Sequence, residues 1–183
     1  MKTVLVPLAQ GFEEIEAISI IDVLRRAGLK VTTVSLGDAQ AVMGAHGIPV
    51  TADQKWSNAG SRDYDAIVLP GGPGYQLLME HEGVMAALKR HDGAGKIVAA
   101  ICASPAVLVR AGVLSGRRAA CYPSVEADVS KVATLVHSSV CVDGRIVTSR
   151  GPSTAVVFAV QLVAELVGEA KSRQVASDML LQN

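Results

Sequence analysis

Short, almost wholly apolar runs alternate with amphipathic stretches along this chain, and the alternation limits the possible folds more than any other feature. The runs Thr3–Leu8, Lys30–Leu36, Asp65–Leu69 and Ile97–Ile101 are each long enough for one strand. Apolar runs without polar alternation are typical of parallel strands that are covered on both faces. The pattern therefore predicts an α/β fold in which a parallel sheet lies between helices.

Helical periodicity fills the intervals between these runs, as the predicted fold requires. The predicted helices are Glu14–Ala27, a stretch near Gly83–His91, Ser104–Ala111, Thr154–Val167, and a last one from about Glu169 to Leu181. The helix at Thr154–Val167 is apolar around nearly its whole circumference, which predicts burial in the core or in a subunit contact.

Two other segments depart from the strand-helix alternation. Asp143-Gly144, between the apolar stretches Val140–Val142 and Arg145–Thr148, predicts a hairpin with a type I′ turn. The least regular region is Val42–Gly60, which we expect to be an excursion over the sheet.

Length and charge limit the classes of function. The 183 residues fit a single domain, residues 1–183, with a full core. Seventeen basic residues balance seventeen acidic ones, so no electrostatic footprint for nucleic acid or an anionic membrane is present. Pro7 interrupts a short apolar run at the N-terminus, unlike a signal peptide, and we expect a cytoplasmic protein.

The three cysteines, Cys102, Cys121 and Cys141, are an odd number at wide spacing. This spacing matches neither a disulfide framework nor a metal-binding motif, so we expect no metal site. Cys121 and Cys141 fall on predicted strands.

Three unusual features follow three predicted strands directly. Glu13, Glu14 and Glu16 come after the first strand, a turn at residues 71–74 (Gly-Gly-Pro-Gly) after the third, and Cys102 after the fourth. Open α/β sheets bind ligands at the carboxyl ends of their strands. The three features are therefore predicted to share one functional edge.

Cys102 lies between the end of a strand at Ile101 and a helix start at Ser104-Pro105. Such a sharp turn displays a nucleophile above a sheet, and the helix N-terminus is expected to lower the thiol pKa. The alternative is a buried structural cysteine, since free cysteine is among the most buried residue types.

The backbone around Cys102 offers candidate donors. Gly71 and Gly72 lack side chains, so their N–H groups can approach a bound anion together with the N–H of Ala103. The alternative is that the two glycines only form a tight bend.

Glu16 is the acidic residue most suited to turn inward, because it lies near the apolar face of its helix. Burial would raise its pKa and couple its titration to that of Cys102. Its neighbours Glu13 and Glu14 are expected to be solvated in the first helical turn. His81 and His91 are expected to be solvated at helix ends, and a dyad of cysteine with a distant histidine stays open.

Five segments together carry a family resemblance that spans nearly the whole chain: Ala9–Glu16, Arg25–Gly28, Val68–Gly72, Ala99–Pro105 and Thr148–Pro152. In these segments the chain resembles the ThiJ/PfpI superfamily, most closely the branch of bacterial YajL and the human parkinsonism-associated deglycase. The resemblance implies a flavodoxin-like (class I glutamine amidotransferase-like) fold and a homodimer. It also implies that Cys102 is an oxidisable nucleophile, that Glu16 is its protonated partner, and that the glycine turn with Ala103 binds an oxyanion.

The chain departs from the family pattern at three positions. The protease-like branch has histidine where this chain has Ala103, so a peptidase is not expected. Human-like members have a histidine before a proline where this chain has Tyr122, which donates a hydrogen bond but is no base near neutral pH. His46 stands where those members have an arginine that reaches across the dimer, and Arg26 or His46 is a candidate accessory residue of the neighbouring site.

The resemblance implies a cofactor-free enzyme that detoxifies small dicarbonyls. Glyoxal, methylglyoxal or glycated amino groups would be the substrates, and the Cys102 thiolate would add to the aldehyde. The alternative is a redox-sensing stress chaperone in which Cys102 is oxidised to the sulfinate. Isocyanide hydration, an activity of a more distant branch of the superfamily, is the third candidate function.

Overall fold

A computed structural model of the chain describes residues 1–181 and contains eleven strands and eight helices within that range. The strands are β1 (Thr3–Leu8), β2 (Lys30–Ser35), β3 (Ala41–Met43), β4 (Pro49–Thr51), β5 (Gln54–Lys55), β6 (Ala66–Leu69), β7 (Ile97–Ile101), β8 (Arg118–Ala119), β9 (Thr134–Leu135), β10 (Val140–Asp143) and β11 (Ile146–Ser149). The helices are α1 (Glu14–Arg26), α2 (Trp56–Ala59), α3 (Tyr75–Glu80), α4 (Glu82–Gly93), α5 (Pro105–Ala111), α6 (Glu126–Val129), α7 (Ala155–Val167) and α8 (Glu169–Asp178).

Seven strands form the main sheet in the order β10-β11-β7-β6-β1-β2-β5. All neighbours are parallel except the pair β10 and β11. The strands β6 and β7 are wholly buried, because helices cover both faces of the sheet. The predicted flavodoxin-like α/β fold is confirmed.

Helix α7 packs against both α1 and α8. Its buried residues include Phe158, Leu162 and Leu166. The apolar stretch predicted at Thr154–Val167 is therefore mainly a core helix.

The hairpin between β10 and β11 is present, but its turn differs from the predicted type. Asp143 pairs with Ile146, so Gly144 and Arg145 form the two-residue loop. Gly144 has φ 62°, whereas Arg145 does not have a positive φ. A type I′ turn needs positive φ at both positions, so the loop matches a type II′ turn, which needs glycine only at the first.

The region Val42–Gly60 leaves the main sheet, as predicted. Its strands β3 and β4 pair with each other, and β5 returns to the edge of the main sheet. The Gly11 N–H donates to the Met43 carbonyl at 2.8 Å, which fixes the excursion over the carboxyl end of β1. Residues 44–48 therefore lie beside the edge where the site was predicted.

No helix within residues 1–181 is both long and apolar enough to cross a membrane. Within the same residues the three cysteines are unbonded and buried. Cys141 lies on β10, whereas Cys121 follows β8 and is outside any strand, contrary to the prediction, because β8 ends at Ala119.

Candidate active site

The loops that follow β1, β6 and β7 meet at the carboxyl edge of the sheet and enclose a cleft of about 460 Å³. The cleft is lined by Glu13, His46, Gly72, Pro73, Tyr75, Cys102, Ala103, Tyr122, Ser124 and Pro152. The predicted shared edge is therefore where these residues come together.

Cys102 has φ 64°, a left-handed conformation that a residue with a side chain seldom adopts. The surrounding structure holds it there: its N–H donates to the Ser149 carbonyl at 3.0 Å, and its carbonyl accepts the Tyr122 N–H at 2.7 Å. The next turn is tied down by Ser104 Oγ, which donates to the Pro70 carbonyl at 2.6 Å. Cys102 as a residue is only 7% exposed, yet it lines the cleft, so its position suits a nucleophile elbow.

The expectation of a lowered thiol pKa is not met for the resting site. Burial and then the charge of Glu16 raise the pKa of Cys102 to about 12, whereas hydrogen bonds from the backbone N–H groups of Gly72 and Ala103 lower it. Desolvation of a buried thiolate outweighs the field of a helix of only seven residues.

Glu16 is 0% exposed and turns inward beneath the cleft, as predicted. Its Oε2 accepts the Gly71 N–H at 2.7 Å, whereas its Oε1 has no hydrogen-bond partner among residues 1–181. Burial raises the pKa of Glu16 to about 7, and the nearby charge of Glu13 also raises it. Since each negative charge of the Glu16–Cys102 pair disfavours the other, the two groups titrate together.

This raised pKa predicts how Glu16 affects stability with pH. Between pH 4.5 and about 7 the folded state holds the Glu16 proton, whereas the unfolded chain releases it. The contribution of Glu16 to the free energy of unfolding is therefore complete below pH 4.5 and is lost as pH rises through 7. The loss amounts to about 3 kcal/mol.

Urea unfolding of the wild type and Glu16→Gln across pH 4.5–7.5 measures this effect. The wild type should lose stability relative to the variant as pH rises, because contributions of other groups cancel in the difference. A difference that stays constant with pH would show that Glu16 titrates normally.

Gly71 has a different role from the predicted oxyanion donor, because Glu16 occupies its N–H. A Cβ at this position would lie 2.5 Å from the Cys102 Cβ and 2.7 Å from Glu16 Oε2. Glycine is thus needed for the close approach of Cys102 and Glu16. The N–H groups of Gly72 and Ala103 remain as the donors beside the sulfur.

Glu13 and Glu14 are buried, which corrects the expectation that they are solvated. Glu13 caps α1, since its Oε2 accepts the Glu16 N–H at 2.7 Å. Glu14 accepts the His46 N–H at 2.6 Å and contacts His46 Nδ1 at 2.8 Å. The Glu14 carboxyl group leaves the solvent because the excursion at residues 44–48 supplies donors that the sequence alone did not place there, whereas the Glu13 carboxyl group folds back onto the first turn of its own helix.

The contact between Glu14 and His46 shifts the pKa values of the two groups in opposite directions. Burial works to raise the pKa of Glu14, but hydrogen bonds from the ring and backbone of His46 outweigh it and lower the pKa to about 2. The same hydrogen bond raises the pKa of His46. His46 is thereby held at the mouth of the cleft as a partner of Glu14.

The other accessory candidates differ in position. Tyr122 lines the cleft, whereas Arg26 lies at the far end of α1 and pairs with Asp22 at 2.6 Å. Within one chain Arg26 is therefore not part of the site. His91 is buried rather than solvated, because Nδ1 donates to the Ala87 carbonyl at 2.7 Å within α4.

Five lining residues were not predicted as site residues. Glu13 and Pro73 belong to the features predicted at this edge, whereas Tyr75, Ser124 and Pro152 were not singled out. Pro152 follows the carboxyl end of β11, so the rule that identified Cys102 would also have identified it. Tyr75 and Ser124 belong to short helical segments that have no clear periodicity in the sequence.

Glu13, Glu14 and His46 each present one potential metal ligand atom, all within 4.8 Å of one another. Glu14 and His46 already satisfy each other by hydrogen bonds, and Glu13 caps α1. We therefore treat this group as an ion-pair cluster.

A parallel sheet of this order, with a cysteine on a strained strand-to-helix turn and a buried carboxyl group beside it, defines the class of flavodoxin-like proteins that carry an elbow cysteine. Residues 2–165 match the model of the DJ-1/PfpI family, and the chain belongs to this family. The resemblance predicted from the five segments is confirmed.

Solved and curated relatives support the family assignment. The crystal structure of Drosophila melanogaster DJ-1beta superposes with a TM-score of 0.96 at 38% identity, covering 100% of this chain and 99% of that one. The Caenorhabditis elegans protein named glutathione-independent glyoxalase DJR-1.2 is 32% identical over 92% of this chain and 90% of its own length.

Two Arabidopsis thaliana relatives, DJ-1 homologs A and B, are 42% and 40% identical over 99% of this chain. The chain spans about half the length of these two relatives, namely 47% and 42%.

Proposed function

We propose that this protein is a cysteine-dependent glyoxalase that converts glyoxal and methylglyoxal into hydroxy acids without a metal or organic cofactor, and that it also releases early glycation adducts from amino groups. One observation carries the proposal: the Cys102 sulfur lies in an open cleft between two backbone N–H donors and a buried carboxyl group that holds a proton near neutral pH. This arrangement supplies a nucleophile, an oxyanion site and a general acid–base group.

The first step is addition. Glu16 takes the proton of the Cys102 thiol as the sulfur attacks the aldehyde carbon and passes it to the carbonyl oxygen, which gives a hemithioacetal. The N–H groups of Gly72 and Ala103 stabilise the negative charge that develops on that oxygen.

The second step moves a proton within the adduct of methylglyoxal. Glu16 removes the proton from the former aldehyde carbon and returns one to the neighbouring carbon. The hydroxyl proton on the former aldehyde carbon moves to the oxygen of the neighbouring carbon, which leaves a lactoyl thioester on Cys102. Water cleaves the thioester to lactate and restores the thiol, so methylglyoxal plus water gives lactate without any oxidant. Both transfers fall to Glu16, the buried carboxyl group beside Cys102.

The relative from Caenorhabditis elegans supports the proposal, since its name assigns it glyoxalase activity without glutathione. The test is lactate formation from methylglyoxal, followed by NMR, with protein purified by two independent procedures to exclude contaminants. Protein alkylated at Cys102 with iodoacetamide is the matched control and should be inactive. Absence of lactate from unmodified protein would contradict the proposal.

A second candidate is a redox-sensing stress chaperone. The N–H groups of Gly72 and Ala103 that face the sulfur would equally hold the oxygens of a Cys102 sulfinate. Mild peroxide should then add the mass of two oxygen atoms at Cys102 and protect a client protein from aggregation. Such protection without methylglyoxal turnover would favour this candidate over the enzyme.

We further propose a homodimer formed through the exposed apolar residues of α1. Ile15 and Ile18 are 58% and 46% exposed, and Ile48 lies exposed beside the same end of the cleft. Apolar side chains grouped in this way mark interaction surfaces. Light scattering at micromolar concentration should give the mass of two chains, and Ile18→Glu should give the mass of one.

The control is Lys171→Glu, which places a negative charge at an exposed position of α8. This variant should leave the dimer intact. A monomeric wild type would rule out the dimer, and a dimeric Ile18→Glu would place the interface elsewhere.

A further inference from the structure

Ser104 stands directly before helix α5, yet its hydroxyl does not serve that helix. Serine is favoured at this position because its side-chain oxygen accepts an N–H of the first helical turn. Among residues 1–181, however, the Ser104 hydroxyl caps no N–H of α5. It donates instead to the Pro70 carbonyl at 2.6 Å, on the loop that follows β6. The hydroxyl therefore joins the two loops that carry the glycine turn and the elbow cysteine.

The hydrogen bond from Ser104 falls on a peptide unit that Glu16 holds from the other side. The Pro70 carbonyl and the Gly71 N–H belong to one planar peptide unit. The Gly71 N–H donates to Glu16 Oε2 at 2.7 Å. A continuous chain of hydrogen bonds therefore runs from the Ser104 hydroxyl, through this peptide unit, to the Glu16 carboxyl group.

The same peptide unit borders the reacting sulfur. A Cβ on Gly71 would lie 2.5 Å from the Cys102 Cβ, so the backbone here packs against the nucleophile. The next residue, Gly72, presents its N–H to the Cys102 sulfur. A rotation of the peptide unit would therefore disturb both the hydrogen bond to Glu16 and a donor beside the sulfur.

The chain of hydrogen bonds is polarised in one direction. A hydroxyl that donates to a carbonyl oxygen draws electron density toward that oxygen and makes the N–H of the same peptide unit a stronger donor. The Gly71 N–H lowers the pKa of Glu16 against the larger effect of burial, because it stabilises the charged carboxylate. A stronger Gly71 N–H should lower that pKa further.

This network lies inside a single chain. Ser104 and Glu16 are both 0% exposed, and Pro70 and Gly71 are buried between them. The hydrogen bonds among these four residues therefore need no contribution from a second copy of the chain.

We propose that Ser104 is a positioning residue that acts on Glu16 through the Pro70–Gly71 peptide unit. Its hydroxyl holds the Gly71 N–H on the carboxyl group and makes that group release its proton more readily. The effect on the Glu16 proton follows from the geometry alone, whereas its consequence for turnover rests on the proposed function.

The test measures the proton affinity of Glu16 directly. Protein with ¹³C-labelled glutamate carboxyl groups is titrated by NMR, and the Glu16 signal is the one missing from the spectrum of Glu16→Gln. Ser104→Ala should raise the pH of the Glu16 titration midpoint by about half a unit, because the Gly71 N–H loses its polarising partner. A hydroxyl with a merely structural role would leave the midpoint unchanged.

Ser172→Ala is the matched control. Ser172 is also buried, and its hydroxyl donates to the Val160 carbonyl at 2.8 Å, between α8 and α7 and outside the cleft lining. Both alanine variants lose a hydroxyl-to-carbonyl hydrogen bond and should melt earlier than the wild type. Only Ser104→Ala should move the Glu16 midpoint.

Ser104→Gly provides a second variant, since glycine is well tolerated directly before a helix. It also lacks the hydroxyl and should move the midpoint by the same amount as Ser104→Ala.

The same shift should appear in the rate profile if Glu16 accepts the thiol proton as proposed. In that case kcat/KM for methylglyoxal rises with pH as Glu16 loses its proton. Ser104→Ala should move this rise upward by about the same half unit.

An unchanged Glu16 midpoint in Ser104→Ala, or an equal shift in Ser172→Ala, overturns the proposal. The titration needs no turnover, so the two proposals fail separately. A shifted midpoint without lactate formation would contradict only the glyoxalase, and lactate formation with an unshifted midpoint would contradict only the role of Ser104.

Discussion

Replacement of Cys102 by serine is expected to lower kcat/KM for methylglyoxal by about a thousandfold or more, because the hydroxyl is a far weaker nucleophile than the thiolate it replaces. Serine fits the same site: it is slightly smaller than cysteine, and the hydrogen bonds that hold φ at 64° involve only the backbone of residue 102. The loss should therefore appear in kcat, without a comparable loss of thermal stability.

Cys141→Ser is the matched control for this change. Cys141 is buried on β10 and does not line the cleft, so the same substitution there should leave kcat/KM within about twofold. Activity of Cys102→Ser close to that of the wild type would show that the sulfur is not the nucleophile. A similar loss in both variants would show that the effect is structural.

Replacement of Glu16 by glutamine should lower methylglyoxal turnover by about a hundredfold to ten-thousandfold, the range that a general acid–base group contributes. The amide oxygen of glutamine still accepts the Gly71 N–H, and its NH₂ group still donates a hydrogen bond. The variant should therefore fold and keep a titratable thiol, but it has no proton to transfer in either step.

Glu16→Leu separates the structural role from the chemical one. Leucine leaves the buried Gly71 N–H without an acceptor, which costs about 1–3 kcal/mol of stability, so this variant should melt earlier than Glu16→Gln. Steady-state kinetics and thermal melting of both variants are the measurements. Equal turnover in Glu16→Gln and the wild type would leave Cys102 acting with the backbone donors alone.

The strands that form the centre of the sheet could be predicted from local sequence because burial on both faces makes their signal continuous. Predicted strands at Thr3–Leu8 and Ile97–Ile101 match β1 and β7 in both bounds. The short elements α2, α3 and α6 were not predicted, since four to six residues are too few to show a helical period.

The site shows the same division between local and distant information. The elbow at Cys102 and the inward turn of Glu16 follow from neighbours within a few residues, so the sequence predicts them. The pKa of Cys102 was predicted in the wrong direction, because the desolvation and the carboxyl group that raise it come from residues that are distant in the chain.

By itself, the sequence determined the fold class, the edge of the sheet that carries the site, and the pairing of a cysteine with an inward glutamate, since period, turn residues and strand ends are local properties. Only the tertiary structure decided which donors and charges surround that pair. The excursion at residues 44–48 buries Glu14 against His46, Glu16 takes the Gly71 N–H, and Glu13 caps α1 at the edge of the cleft. These contacts join segments up to 55 residues apart, and the free energy of burying each charge depends on all of them at once.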